Sequence, residues 1–508
     1  MTQLKRISLA IVALNVFVIC GLFAQQYNVP LTMEGLNHTV NASVISKAMG
    51  GVTIPIQQDV ALMFANPAGL STLSGLTVSV SGSQISTSAD HTQQWYPLVY
   101  YGNFSLLMDG TVRGIDTSGK PHTPPSSPAR YPGDTLQYPY DNLGPNWNHS
   151  RSASLLPQVF IAMPLKIGSR SASVGLGLTQ YANMDYYYQN NNSLTPDYDL
   201  LTTPQTATAD STRTDWAQSI HRREGTINGY GGAFSMSITD NLSAGLSARY
   251  LQGSTDDFDQ TFGRGVFWWY GSLYAVRRWG VSSNALVLDS VDYQRTMQGT
   301  SDFTGLDYTI SAQYRTKNVT IGFSVTPPST IERKFSGSLT AHTGKTIDFQ
   351  ASDHSVDTSF TEKMELPWKG KFGIGFQVTS NVLVAMEYES CPYNKGNFVK
   401  DGVTTHPWLD ASAFRFGMNW EPSNALSFRF GYRNQKETFA PKNAAFPDQP
   451  VSYNVVSAGA GIHVISNLVL NVAYEFYQMK YEDVWAENYN INNLNSNSIS
   501  AELTYTLK

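Results

Sequence analysis

From about Leu76 to its end, the chain repeats one alternating pattern. Stretches of about ten residues alternate large apolar with small or polar side chains, and tight turns and long polar loops join them. In the stretch from Asn424 to Gln435, Leu426, Phe428, Phe430 and Tyr432 share one face, and Ser427, Arg429, Gly431 and Arg433 share the other. A strand sends successive side chains to opposite sides, so each copy has one greasy face and one polar face. The repeat recurs too often, with too few helical segments to cover it, for a soluble sheet. Only a closed barrel satisfies all the backbone groups of such strands in lipid. The pattern therefore predicts an antiparallel transmembrane β-barrel in a Gram-negative type of outer membrane, with lipid outside and a polar lumen.

Fourteen strands can be placed from the apolar faces, an even number as single-chain bacterial barrels have. Short turns fall near Gly168, Asp240-Asn241, Lys317-Asn318, Ser380-Asn381, Ser423-Asn424 and Ser466-Asn467. Asn, Asp and Gly accept positive φ and suit tight hairpins. The other connections are long, so the short turns are assigned to the periplasm and the long loops to the outside, with both termini in the periplasm. The apolar stretch from Trp95 to Met108 inside the first loop leaves room for further strands. Charged residues are only 14% and aromatics 12%, with 28 Tyr, which suits interfacial girdles. The net charge of −5 argues against a nucleic-acid partner.

Residues 1–24 read as a signal peptide: Lys5 and Arg6, an apolar run to Phe23, and a small residue, Ala24. Beyond it Cys391 is the single cysteine, so no intramolecular disulfide, zinc or thiol chemistry is indicated. Residues 25–75 precede the first strand, and 76–508 form the barrel. The inward face is rich in Gly, Ala and Ser, which leaves lumen volume. A fourteen-strand barrel lies between those filled by side chains and open pores, so 25–75 is expected to fold inside as a plug.

Several arginines point inward by register, Arg249, Arg315 and Arg429 among them, and could meet an acidic head group or pair with inward glutamates. The loop from Thr255 to Asp302 carries Phe267, Trp268, Trp269, Tyr270 and Trp279, an apolar surface that marks a contact site or a loop packed on its neighbours. No nucleophile–base set, metal-ligand spacing or phosphate loop stands out. An enzyme is not expected, nor is a metal or cofactor.

The segment Lys47 to Thr53, followed by Gln58 to Leu70 with Asn66-Pro67-Ala68-Gly69, resembles the N-terminal hatch of the FadL family of outer-membrane fatty-acid and hydrocarbon transporters. Ser311 to Lys334, Leu366-Pro367-Trp368 and the hairpin from Trp420 to Leu426 are similar to that family too. The chain departs from it in ending Leu507-Lys508 rather than in an aromatic residue. The resemblance implies passive uptake of a hydrophobic, long-chain fatty-acid-like ligand by a monomer in outer-membrane lipid. Capture would occur at the third loop and gating at Asn66, Pro67, Ala68 and Gly69. A kinked third strand, where Gly175 and Gly177 lie, would open a sideways exit, although both glycines also read as ordinary small lumen residues. Similar hatches occur in barrel components of a protein-secretion shuttle, so a scaffold that binds protein cargo is the alternative.

Overall fold

The computed structural model describes residues 40–95, 146–194, 211–270, 285–289, 293–343, 351–441, 444, 446–485 and 488–507. The proposed signal peptide and Trp279 lie outside them. Twenty strands run in chain order: β1 (Leu76–Trp95), β2 (Trp147–Ile167), β3 (Arg170–Asn183), β4 (Tyr186–Leu194), β5 (Ser211–Ser237), β6 (Leu242–Tyr270), β7 (Ala285–Asp289), β8 (Tyr293–Arg315), β9 (Val319–Thr326), β10 (Ser329–Thr343), β11 (Ser352–Leu366), β12 (Lys369–Thr379), β13 (Val382–Cys391), β14 (Asn397–Lys400), β15 (Val403–Thr405), β16 (Ala411–Ser423), β17 (Leu426–Lys436), β18 (Ser452–Ile465), β19 (Leu468–Trp485) and β20 (Asn488–Leu507). Three barrel strands are interrupted, so that β3 with β4, β9 with β10, and β11 with β12 each form one wall strand; β7, β14 and β15 are extras above the membrane. The wall is therefore an antiparallel barrel of fourteen strands, closed by pairing of β1 with β20 along their whole length.

The outward face is the lipid face. Val159, Ile161, Met163, Leu176, Leu246, Ile310, Phe323, Phe430 and Leu503 are exposed there. Tyr230, Tyr250 and Tyr388 lie at its outer end and Tyr314, Trp420 and Tyr505 at its inner end, two interfacial girdles. This places the protein in the outer membrane, crossing by strands. The periplasmic turns follow local chemistry: Gly168 adopts φ +60 between β2 and β3, and Thr239 Oγ1 accepts from the amide of Leu242 at 3.0 Å between β5 and β6.

Much of what reads as long loops is strand. β5 and β6 stay paired from Ser237–Ser243 out to Ser211–Tyr270, and β19 and β20 out to Trp485–Asn488. Phe267, Trp268, Trp269 and Tyr270 are thus backbone-paired residues of β6, opposite Thr214 to Ser211 and also β7, rather than members of a loop.

Candidate functional site: the plugged lumen

Residues 40–75 lie inside the barrel. A five-residue helix, α1 (Val44–Ala48), is capped by Ser43, whose side chain accepts from the amide of Ser46. Pro67–Thr72 forms a 3-10 turn entered by Asn66. Pro at the first position suits such a turn, because its missing N–H would have no partner there. Asn66 to Gly69 are all buried. Asn66 Nδ2 donates to Ile54 O at 3.1 Å, and the Ala68 amide donates to Ser311 Oγ at 2.8 Å. This stretch is the inner corner of the plug.

The wall receives the plug by two devices. The first is a set of short polar side chains aimed at plug backbone. Thr309 Oγ1 donates to Phe64 O at 2.9 Å, Ser324 Oγ to Ala65 O at 2.8 Å and Ser173 Oγ to Leu70 O at 2.9 Å. Glu502 accepts from the Val44 amide at 3.2 Å, and Glu387 accepts from three donors on Thr53 and Ile54. The second device is glycine. A Cβ on Gly373 would come within 2.7 Å of Ile54, one on Gly417 within 2.6 Å of Met49 O, and one on Gly431 would collide with the Gly50 amide. The small inward residues thus leave room for plug backbone rather than for open lumen.

Gly175 and Gly177 belong to this second device. A Cβ on Gly175 would meet Met63 at 2.9 Å, and one on Gly177 would meet Phe160 at 2.7 Å and Phe64 at 3.0 Å. Both sit in unbroken ladders to β2 and β5, so the third wall strand is not kinked at either glycine. It departs higher up, through a bulge at Tyr181 and the interruption after Asn183. Above Val159–Leu178 the ladder between β2 and the third wall strand ends. Side chains close the seam instead: Arg151 to Asp185 at 3.0 Å, His149 stacked on Tyr187 at 3.7 Å, and Thr179 to Gln158 at 2.7 Å.

Val40 donates to Tyr181 O at 2.8 Å, on the outer side of the plug, whereas Gln57 reaches Thr320 and Arg315 by the periplasmic turn. The described part of the plug therefore starts on the lumen's outer side.

Above the plug is a cavity of about 490 Å³, within the range of small-molecule sites. Phe64, Tyr393, Phe439, Tyr453 and Met479 give it apolar surface, and it reaches the seam at His149 and Arg151. Most of its cations are matched. Arg249 pairs with Asp307 at 2.7 Å and lies over the Phe64 ring. Arg415 pairs with Glu387 at 3.1 Å and with Glu389, and Arg433 with Glu475 at 3.5 Å. Lys47 donates to Ser83 and Ser500. Lys369, also on the cavity wall, has no hydrogen bond or ion pair among the described residues. Lys369 shares the inward face of β12 with Gly373 and Gly375, opposite the exposed Phe372, so alternation reaches it as it does the arginines; only its lack of an ion pair depends on the fold.

Of the other two sequence-derived arginines, Arg429 donates to Asn471 at 2.9 Å beside the plug. Arg315 lies at the periplasmic end, donating to Gln57 at 3.3 Å. Neither borders the cavity. Among the described residues no cluster of metal-ligand type occurs.

On the outer side of the cavity the barrel is closed in part by a dry core of Leu251, Phe303, Ile331, Met364, Leu366 and Trp408 with their neighbours. This core was invisible to the alternation because its members come from seven separate segments.

Two comparisons bear on this architecture. A structure described as a Pseudomonas aeruginosa FadL homologue superposes with a TM-score of 0.55 at 13% identity, covering 92% of this chain and 99% of that one. The toluene transporter TodX of P. putida gives 0.52 at 13% identity, over 92% and 98%. At that identity the likeness is one of fold: this chain has the FadL-type barrel. A sequence comparison with curated proteins finds no match. The model of a family described as BamG matches residues 146–490.

Proposed function

This chain belongs to the BamG family, and from that premise and the geometry of its lumen we propose that it takes up mainly apolar small molecules with one acidic end, of the long-chain fatty-acid kind. The observation that carries this reading is Lys369, a half-buried cation with no ion pair among the described residues, on the wall of an aromatic-lined cavity where Arg151, Arg249, Lys371, Arg415 and Arg433 each pair with a carboxylate. A carboxylate head group would give Lys369 a direct charged partner. The alkyl chain supplies most of the affinity, at about 0.8 kcal/mol per buried methylene. The FadL homologue and the toluene transporter that share the fold support the choice of ligand class. The barrel acts as a monomer in outer-membrane lipid, and the Asn66–Gly69 corner gates the periplasmic side.

Fluorescence titration of a fatty acid into the purified full-length barrel tests this. Lys369→Gln is expected to weaken binding of the acid roughly ten-fold while leaving the matching alcohol unaffected. No binding to the wild-type barrel would overturn the reading. A second reading, a scaffold for protein cargo in secretion, is favoured by the dry core across part of the outer mouth and by the density of plug–wall hydrogen bonds. It is the reading that would stand if no small ligand binds.

A further inference from the structure

The wall carries a second interruption, and it faces lipid. The ladder from β8 to β9 ends at Ile310–Val325, and the ladder from β8 to β10 begins at Gly305–Ile331. Between these rungs Leu306 to Thr309 of β8 face Thr326 to Thr330, which is one residue longer on the second side. That residue excess falls at Pro327-Pro328. Proline has no N–H to give a ladder, so two in a row leave this stretch unable to pair. The next wall strand breaks beside it, at Pro367-Trp368 between β11 and β12. Facing reverses across both breaks: Phe323 and Phe372 are exposed below, while Ile331 and Met364 are buried above.

The two faces of this break differ. Inside, its rim is Asp307, Thr309, Thr326 and Lys369, all on the cavity wall. Outside, Leu306, Tyr308 and Trp368 are exposed. They lie at the outer edge of the lipid-facing band, since the next outward residues on β6 and β8 are Gln252 and Thr304. The seam between β2 and β4 faces a different medium. Its flank on β2 presents Asn148, Ser150, Ser152 and Ser154 outward. Of these two breaks in the wall ladders, one is flanked by polar surface and the other by the outer edge of the lipid-facing band.

From this juxtaposition we infer that the Pro327-Pro328 break is a lateral portal between the cavity and the outer leaflet. Lys369 holds the acidic head at its inner mouth while the alkyl chain threads between Tyr308 and Pro327. The inference rests on the uptake reading above and adds the route. Opening costs no ladder hydrogen bonds at this point, because none are formed there.

The test is a reversible staple in the full-length barrel with Cys391→Ser. Continuing the β8–β9 register by one rung sets Thr309 opposite Thr326, and both line the cavity. The double variant Thr309→Cys/Thr326→Cys is reconstituted in liposomes. Binding of a fluorescent fatty acid and its transfer to the bilayer are then measured oxidised and reduced. The expected result is at least a ten-fold loss of transfer on oxidation, restored by reductant, with binding changed less than two-fold. Equal transfer in both states, with binding intact, would overturn the portal while leaving the uptake reading in place. Absent binding in the wild-type barrel would instead overturn the uptake reading itself. A second variant, Pro327→Val with Pro328 deleted, equalises the two sides of the break; it is expected to lower transfer in the same way, and wild-type transfer by that folded variant would also overturn the portal.

Discussion

Glu387 accepts hydrogen bonds from both the backbone amide and the hydroxyl of Thr53, at 2.7 Å and 2.9 Å, through a single oxygen. The same oxygen accepts from the Ile54 amide at 2.9 Å, and the other faces Arg415 at 3.1 Å. One buried carboxylate on β13 thus fixes the plug where it turns towards the periplasm. Its charge is balanced from the wall and its lone pairs are filled from the plug, so the cost of burying it is offset on both sides.

Glu387→Gln keeps the size but loses the charge and one acceptor oxygen. Hydrogen bonds to a charged group contribute about 1.5–3 kcal/mol each, so the plug corner is expected to open at least ten-fold more often. Hydrogen exchange at Thr53 and Ile54 measures this. Unchanged protection in a folded variant would show that Glu387 holds the wall and not the plug.

The glycine seat gives a sharper contrast. Gly431→Ala puts a Cβ into the Gly50 amide, whereas a Cβ on Gly370 meets nothing within 4 Å. The first variant is expected to unseat α1 and raise single-channel ion conductance in a planar bilayer. Gly370→Ala should behave as wild type. Equal conductance of the two would mean that the plug shifts freely within the lumen.

Much of the wall was legible because lipid enforces alternation: Leu426, Phe428 and Phe430 announce their strand since polar residues there would face hydrocarbon. Fourteen strands, their order and the periplasmic turns follow from that rule. It lapses above the membrane, where both faces of a strand meet water, and so β5 and β6 beyond Tyr230 and Tyr250 read as loop although they pair for many more residues. The site was less legible still. Alternation along β12 places Lys369 inward with Gly373 but does not reveal its lack of an ion pair, and the paired state of Arg249 depends on Asp307, some sixty residues away in sequence. Residue type and period carry no information about such long-range pairings.

Asp59 predicts a pH dependence of plug seating. Its carboxylate is buried, accepting from Ser43 Oγ at 2.5 Å and from the Ala61 amide at 2.9 Å. Burial first, and then the neighbouring Glu502, push its pKa up to about 7. A carboxyl whose pKa is raised in the seated state binds more protons there than when released, so seating weakens as pH rises from about 4 to about 7 and is level above that. After correction for intrinsic exchange, plug amides should be better protected at pH 5 than at pH 8. Asp59→Asn is expected to flatten the difference. A wild-type barrel with equal protection at both pH values would remove Asp59 from control of the plug.

The aromatic run on β6 tests where ligand recognition resides. Leu251 lines the inner core just above the membrane band, and Trp268 lies roughly 55 Å farther along the same strand at about 3.3 Å per residue. The backbone of Phe267 to Tyr270 is committed to pairing with β5 and β7, so this end of the hairpin does not fold back into the cavity while those ladders hold. Trp268→Ala with Trp269→Ala is therefore expected to leave equilibrium fatty-acid binding to the detergent-purified barrel within two-fold of wild type, in contrast to the roughly ten-fold loss expected for Lys369→Gln. The same double variant should slow uptake by whole cells if the hairpin tip gathers ligand from outside. Weakened equilibrium binding in the purified double variant would place recognition at the hairpin and leave the cavity above the plug without its assigned role.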